Sequence, residues 1–272
     1  MDSTNLHTVP FLKWAGGKRW FTEHTKDFIP EFNGTYIEPF LGSGAVFFHL
    51  QPEQAILSDK NDALINTYKA IRDGWRRVSY LLKEHQALHS KEYYYEVRES
   101  IPTNRYELAA RFIYLNRTCW NGLYRVNLQG KFNVPIGTKS NVILETDDFQ
   151  ALSKRLKQTT LLTDDFEAII RQAGDGDFIF IDPPYTVKHN QNGFIKYNET
   201  LFSWQDQERL ADAVKSAVKR GAKALVTNAA HESISELYAE FQQTTLNRKN
   251  VLSGKPEFRG KYEELIIKCW HQ

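Results

Sequence analysis

Short apolar runs recur along the chain, each closed by glycine, proline or polar residues, and between them lie segments whose apolar residues return every three or four positions. Tyr36-Ile37, Ala55-Ile56-Leu57, Thr159-Thr160-Leu161-Leu162, Phe178-Ile179-Phe180-Ile181 and Ala222 to Thr227 have strand length. Such runs read as buried strands of an open parallel sheet. The prolines of Asp182-Pro183-Pro184-Tyr185 stop the fourth run, because neither has an N–H for a ladder and each disfavours helix in the residue before it. That stop places Asp182 at a strand end, where an open parallel sheet binds its ligands.

From Asn61 to about Leu115 the period is helical instead, with Leu64, Ile65, Tyr68, Ile71, Val78, Leu81, Leu82, Leu108, Phe112 and Ile113 on the apolar stripes. No strand signal interrupts it, and it is too long for one crossover, so it predicts an inserted helical subdomain. Tyr124 to Leu128 and Lys131 to Val134 flank Gln129-Gly130 and predict a β-hairpin over about 124–134. Further helices are expected from Asp147 to Leu156, after Asp164-Asp165-Phe166, and from a cap at Ser203 to a stop at Gly221. Thr244 to Leu252 and Tyr262 to Trp270 resemble a closing antiparallel pair around Lys255 to Gly260, and Gly193 to Thr200 reads as a loop over the site. The expected organisation is an α/β domain of residues 1–60 and 140–272, interrupted by a helical insert of residues 61–139.

Composition adds little until it is taken locally. The 272 residues are 41% hydrophobic and 25% charged with a net charge of +2, ordinary for a globular chain. Yet Arg98, Arg105, Arg111, Arg117, Arg125, Lys131 and Lys139 face only Glu99 and Glu107 in the stretch they span. Asn and Arg beside Trp and Leu in this stretch are the side chains that pair with base edges and wedge into base stacks, which points to nucleic acid. Cys119 and Cys269 have no metal-like spacing and fit a reducing compartment. His85 and His89 lie four apart without a third ligand, so they read as a solvated helix face and no metal is expected. The N-terminus lacks a basic segment followed by an apolar one, and there is no apolar run of about 18 residues, so a cytoplasmic protein with no membrane partner is expected.

Three stretches carry candidate chemistry. Phe11-Leu12-Lys13-Trp14-Ala15-Gly16-Gly17-Lys18 offers backbone N–H groups, an aromatic wall and a cation, suited to a ligand with a carboxylate. A surface turn with Trp14 in the core fits these residues equally well. Glu38-Pro39-Phe40-Leu41-Gly42-Ser43-Gly44 is a strand end and a glycine turn opening an apolar helix, and Asp59 ends the next strand. A glycine turn followed by a strand-end acid is a frame for a nucleoside, the acid accepting from ribose hydroxyls. Phe47 stands where a dinucleotide fingerprint needs a small residue, which disfavours a nicotinamide oxidoreductase.

In that order, Phe11 to Lys18, Glu38 to Gly44, Asn116 to Gly137 and Asp182 to Tyr185 resemble the Dam-type family of DNA adenine N6-methyltransferases, a likeness that runs nearly end to end. The resemblance implies a Rossmann-like methyltransferase sheet, S-adenosylmethionine as cofactor, and transfer of its methyl group to an adenine flipped out of duplex DNA, with GATC as the family's commonest target. It implies a catalytic role for Asp182, Pro183 and Tyr185. Trp14, Ala15, Gly16 and Lys18 fall where the family closes over the methionine part of the cofactor, Glu38, Phe40, Gly42, Ser43 and Gly44 where it lines the middle, Asp59 at the ribose, and Asp165 with Phe166 at the adenine. Asn121, Leu123, Arg125 and Pro135, with Lys13, fall where it reads bases; Arg98, Arg117 and Asn127 where it grips phosphates; and Trp120 where it fills the gap left by the flipped base. The chain departs from the pattern at Thr138-Lys139, where members carry Arg and Tyr, and at Trp120, which replaces Tyr. A monomer is the expected state. Three other readings stay open: an RNA adenine or protein glutamine methyltransferase, for which Asn would be expected in place of Asp182; a DNA-binding module without catalysis; and, less favoured, the oxidoreductase.

Overall fold

The computed structural model describes residues 8–127, 129–187, 202–249 and 261–270. The loop expected over Gly193 to Thr200, the Lys255 to Gly260 segment, and Leu128 and Leu252 at strand ends lie outside the described residues. In chain order the elements are a 3₁₀ turn at Trp20–His24, α1 (Thr25–Phe28), β1 (Tyr36–Glu38), α2 (Ala45–Leu50), β2 (Ala55–Ser58), α3 (Asp62–Leu88), α4 (Lys91–Glu99), α5 (Arg105–Thr118), a 3₁₀ turn at Trp120–Gly122, α6 (Phe149–Leu156), β3 (Thr159–Leu162), α7 (Phe166–Ile170), β4 (Phe178–Ile181), α8 (Trp204–Lys219), β5 (Lys223–Ala229), α9 (Glu232–Leu237), β6 (Gln242–Lys249) and β7 (Lys261–Cys269). This is a mixed α/β fold with seven strands and a helical insertion between β2 and β3. Among the described residues no helix is long and apolar enough to cross a membrane.

The chain forms two compact units, Met1–Glu23 with Leu41–Thr163 and His24–Phe40 with Asp164–Gln272. In the first, β2 and β3 pair in parallel, Ala55 opposite Thr159 and Ser58 opposite Leu162. The helices α3, α4 and α5 start at side-chain caps: Asn61 accepts from the Leu64 N–H, Ser90 from Tyr93 and Asn104 from Tyr106. Each such cap contributes about 1 kcal/mol. Leu64, Ile65, Tyr68, Ile71, Val78 and Leu82 of α3 are fully buried, so the period read in the sequence is the face that packs.

The second unit carries strands in the order β1, β4, β5, β7, β6. Phe178 of β4 stands between Tyr36 of β1 and Lys223 of β5 in parallel register, and all four β4 residues are buried. A central parallel strand covered on both faces has no polar side, which is why Phe178 to Ile181 shows no alternation. β5 pairs antiparallel with β7, Ala229 opposite Glu264, and β6 pairs antiparallel with β7. Helix α8 begins in a full capping box, Ser203 with Asp206. The short elements Trp20–His24, α1 and α9 had no counterpart among the expected ones.

The hairpin is less regular than expected. Its turn is present, Asn127 N–H donating to the Lys131 carbonyl at 2.8 Å and Gly130 N–H to the Asn127 carbonyl at 2.9 Å. The flanking ladder is reduced to isolated bridges, Val126 with Phe132 and Cys119 with Ile136. The Asn127 side-chain oxygen also accepts from the N–H groups of Gln129 and Lys131, an Asx-type arrangement that satisfies the turn without a long ladder.

Candidate active site

In the first unit the loop before α1 and the glycine turn before α2 meet. A Cβ placed on Gly42 would lie 2.7 Å from Cδ1 of Trp14, and one on Gly17 would lie 3.3 Å from Oγ of Ser43. Only glycine at position 42, with φ of +48°, satisfies both the bend and the close approach. Gly42 N–H donates to Oδ2 of Asp59 at 3.0 Å and Asn61 N–H to Oδ1 at 2.9 Å. Burial raises the Asp59 pKa from its ordinary value, against the pull of those two N–H groups. Lys18 is buried, and its Nζ donates to the Gly16 carbonyl at 3.1 Å, while Ala15 and Gly16 are exposed and Ser43 is buried. Trp14 packs against both Phe112 of α5 and Tyr124 of the hairpin, at 6.4 and 5.7 Å, and those two rings lie 4.9 Å from each other, so the three form one cluster. Trp14, Gly42, Ser43 and Asp59 are thus brought together, and Gly44 continues the turn by donating to the Leu41 carbonyl at 2.7 Å.

In the second unit the turn after β4 is held from several sides. The Thr227 hydroxyl donates to Oδ1 of Asp182 at 2.8 Å. Gln207 of α8, itself fixed by Asn228, donates to the carbonyls of Pro184 and Thr186 at 3.4 and 3.3 Å. Tyr185 donates to Oε2 of Glu264 at 3.1 Å. Burial, then the charges of Asp182 and Glu264, push the Tyr185 phenol well above its ordinary pKa, so it stays a neutral donor. Glu38 is buried and accepts from the Tyr36 hydroxyl at 2.7 Å. Phe40 stacks on Phe166 at 5.5 Å, with Phe202 edge-on to Phe40 at 5.6 Å. Oδ1 of Asp165 caps α7 and accepts from Arg209, whose guanidinium lies 4.8 Å over the Phe166 ring.

Thr227, Gln207, Asn228, Glu264 and Arg209 are additions to the residues read from sequence. Signals existed for some: Thr227-Asn228 ends an apolar strand, Gln207 lies on the buried stripe of α8, and Glu264 directly precedes the apolar run Leu265-Ile266-Ile267 of β7.

Residues 14–252 match the family of D12 class N6 adenine-specific DNA methyltransferases. The chain belongs to this family. The methyltransferase is 35% identical to the Type II methyltransferase M1.LlaDCHI of Lactococcus lactis subsp. cremoris, over 98% of this chain and 97% of that one. It is 32% identical to the DNA adenine methylase of Haemophilus influenzae, over 94% and 92%. Among solved structures it aligns with a precorrin 8W decarboxylase of Methanobacterium thermoautotrophicum over 99% and 98% of the chains, at 13% identity and a TM-score of 0.41. The methyltransferase therefore acts on adenine N6 in DNA and uses S-adenosylmethionine. Its own residues fit that group: a Cβ on Gly16 meets nothing within 4 Å beside the buried Lys18, and Asp59 presents a carboxylate at the glycine turn.

The residues expected to contact DNA divide. Trp120 is 55% exposed, with its N–H bonded to the Pro135 carbonyl at 2.9 Å, and Asn121 takes a left-handed φ of +56°. Asn116 is buried and ties this turn to the segment from Phe11 to Lys18, accepting from Lys13 N–H at 2.9 Å and donating to the carbonyls of Lys13 and Gly122. Arg125 is half exposed, its Nε donating to Asn133 at 2.9 Å, while Leu123 is half-buried and Pro135 exposed. Arg98 pairs with Glu99 over the Tyr95 ring at the end of α4.

Arg117 is a correction. It is buried, makes a double ion pair with Asp147 at 2.6 Å, and donates to the carbonyls of Phe11 and Val142. These five bonds match the five N–H donors of a guanidinium, so Arg117 clamps the interior and has nothing left for a phosphate. The histidines are a second correction. His85 and His89 are half-buried and bond the hydroxyls of Tyr93 and Tyr114 at 2.8 and 2.9 Å, so they belong to an aromatic cluster and not to a solvated face. Among the described residues no group of three or more His, Cys, Asp or Glu could hold a metal ion.

Proposed function

We propose that this DNA adenine methyltransferase works on an adenine flipped out of double-stranded DNA, with GATC as the target. The observation that carries the catalytic assignment is the fixed carboxylate at the end of β4, with Oδ1 of Asp182 held by the Thr227 hydroxyl at 2.8 Å. A carboxylate has about four acceptor positions, so it can be oriented by a protein donor and also accept from an amine.

When bound, the cofactor supplies a methyl group already activated on a sulfonium, so the enzyme mainly has to position the amine. An adenine amine is a poor nucleophile because its lone pair is delocalised into the ring. Asp182 and the Pro183 carbonyl each accept one N6 hydrogen, drawing that lone pair outward, and Tyr185 stacks on the base. Trp14, Ala15, Gly16 and Lys18 hold the methionine part of the cofactor, Glu38, Phe40, Gly42, Ser43 and Gly44 line its middle, Asp59 accepts from the ribose, and Asp165 with Phe166 bounds its adenine. An adenine inside the stack cannot reach the methyl donor, so the base leaves the duplex and Trp120 fills the gap. Asn121, Leu123, Arg125, Pro135 and Lys13 read neighbouring bases, while Arg98 and Asn127 contact phosphates. The protein acts as a cytoplasmic monomer.

The test is transfer from labelled S-adenosylmethionine to duplexes with and without GATC, followed by identification of the modified base. N6-methyladenine confined to the GATC duplex is expected. Label on cytosine, or only on RNA or protein, overturns the reading, and equal label on both duplexes overturns the target.

A further inference from the structure

Glu264 of β7 is 2% exposed, and Leu265, Ile266 and Ile267 beside it are equally enclosed. Taking a carboxylate out of water is costly, and a well-packed apolar residue at such a place is often the more stable choice. Packing therefore does not account for an acid here. The register sets Glu264 opposite Ala229 at the end of β5, the strand that also supplies Thr227 to Asp182 and Asn228 to Gln207. Its Oε2 accepts from the hydroxyl of Tyr185, 79 residues away in sequence.

A phenol has two ways to be held, by its faces and by its hydroxyl. Stacking against a planar base uses a face, so the hydroxyl bond is what fixes the tilt of the ring. That bond has an electronic effect as well: donation to a carboxylate pushes electron density into the phenol and deepens the negative face of the ring. A base beside that face gains positive charge as the methyl group moves from sulfur to N6, and a negative aromatic face attracts it.

We propose that Glu264 is a positioning residue for methyl transfer, acting through the Tyr185 hydroxyl to set the ring against the target adenine and to strengthen its attraction for the charge arriving there. The assignment rests on the reading in which Tyr185 stacks on that adenine. It makes Glu264 part of the catalytic apparatus although it touches neither substrate nor cofactor.

The experiment compares the parent with Glu264→Ala, Glu264→Gln, Tyr185→Phe and the double variant Tyr185→Phe/Glu264→Ala. The readouts are kcat on duplex DNA, the Kd for S-adenosylhomocysteine, the thermal midpoint, and the fluorescence of 2-aminopurine at the target position. Glu264→Ala is expected to lower kcat about tenfold with the cofactor-product Kd within about twofold, the pattern of an interaction felt in the transition state. Its thermal midpoint stays level or falls by a few degrees, the loss of a buried charge offsetting part of the cost of the cavity and the stranded hydroxyl. Glu264→Gln, which keeps an acceptor oxygen, recovers kcat to within about threefold of the parent, and Glu264→Ala leaves 2-aminopurine brighter because the base is stacked less firmly. Tyr185→Phe and the double variant have kcat values within about twofold of each other, since both remove one shared bond. A Glu264→Ala kcat within about twofold of the parent overturns the assignment, as do losses that multiply in the double variant or a product Kd that weakens in step with kcat. If Glu264→Ala fails to fold, the remaining pair decides: parental turnover in Tyr185→Phe, or collapse in Glu264→Gln, overturns it. A parent that leaves DNA adenine unmethylated sinks the underlying reading, and this assignment with it.

Discussion

Between Ile181 and Thr186 the chain is gripped by side chains from three other elements, Thr227 of β5, Gln207 of α8 and Glu264 of β7. Between Asn121 and Pro135, a stretch more than twice as long, the hydrogen bonds from outside side chains are sparser, Tyr94 to the Val134 carbonyl and Asn116 to the Gly122 carbonyl. The rest is the packing of Tyr124 on Trp14 and Phe112, the segment's own turn and short bridges. Both stretches lie outside regular elements, and both are assigned to the work on DNA. On the proposed assignments, the difference follows the tolerance of each task. An in-line transfer loses rate steeply when acceptor atoms shift by about an ångström, so the turn after β4 is over-determined. Base reading tolerates side-chain adjustment on contact, so the hairpin carries its side chains on a lighter frame.

The contrast is open to test, starting with the largest effect. Asp182→Ala should lower methyl transfer by about a thousandfold or more while duplex binding in a gel-shift titration stays within a few fold. Retained turnover breaks the idea that the over-determined turn holds the chemistry. Arg117→Ala should cost about 3–5 kcal/mol in urea unfolding, because it strands Asp147 in the interior without its partner. A fully stable Arg117→Ala that binds DNA poorly would return this residue to the phosphate contacts.

Arg125→Ala should leave the unfolding midpoint unchanged and reduce discrimination against altered target sequences by about 1–3 kcal/mol, seen as relaxed sequence preference in methylation assays. A uniform loss over all sequences would mean that the hairpin grips and does not read.

The smallest effect lies in the helical insertion. Burial, followed by Arg111, lowers the His85 pKa from 6.5 to about 4 against the pull of Glu84. The unfolded chain takes up a proton near 6.5 that the folded chain refuses, so the stability from the neutral ring is whole above pH 6.5 and is lost as pH falls towards 4. The thermal midpoint of the parent should fall across that window more steeply than that of His85→Phe. Equal slopes would show that His85 titrates normally.

Those predictions also mark what the sequence discloses. Phe178 to Ile181 announces itself because a strand covered on both faces is apolar throughout, and its prolines force Asp182 to the end. The α3 stripe and the cap at Ser203 are local signals and were legible for that reason. The role of Arg117 was not, because charge is visible in a sequence while burial is not, and its partner Asp147 lies 30 residues on in an irregular segment. His85 and His89 mislead likewise, their tyrosine partners being tertiary neighbours. The trace of Glu264 in the sequence is an acid in an apolar strand, which takes on meaning only once Tyr185 is placed beside it. Trp20–His24, α1 and α9 are too short for a hydrophobic period to emerge.

The two ends of the hairpin segment meet. Trp120 N–H bonds the Pro135 carbonyl at 2.9 Å, Gly137 N–H bonds the Thr118 carbonyl at 2.7 Å, and a Cβ on Gly137 would lie 2.5 Å from the Cys119 carbonyl oxygen. The stretch from Trp120 to Ile136 is thus an excursion closed at one seam and anchored beneath by Tyr124 and Val134. On its proposed role in base reading, such an excursion lends itself to exchange as a cassette between relatives, with Thr118, Cys119 and Gly137 kept as the splice points and the inward-packed Tyr124 and Val134 retained.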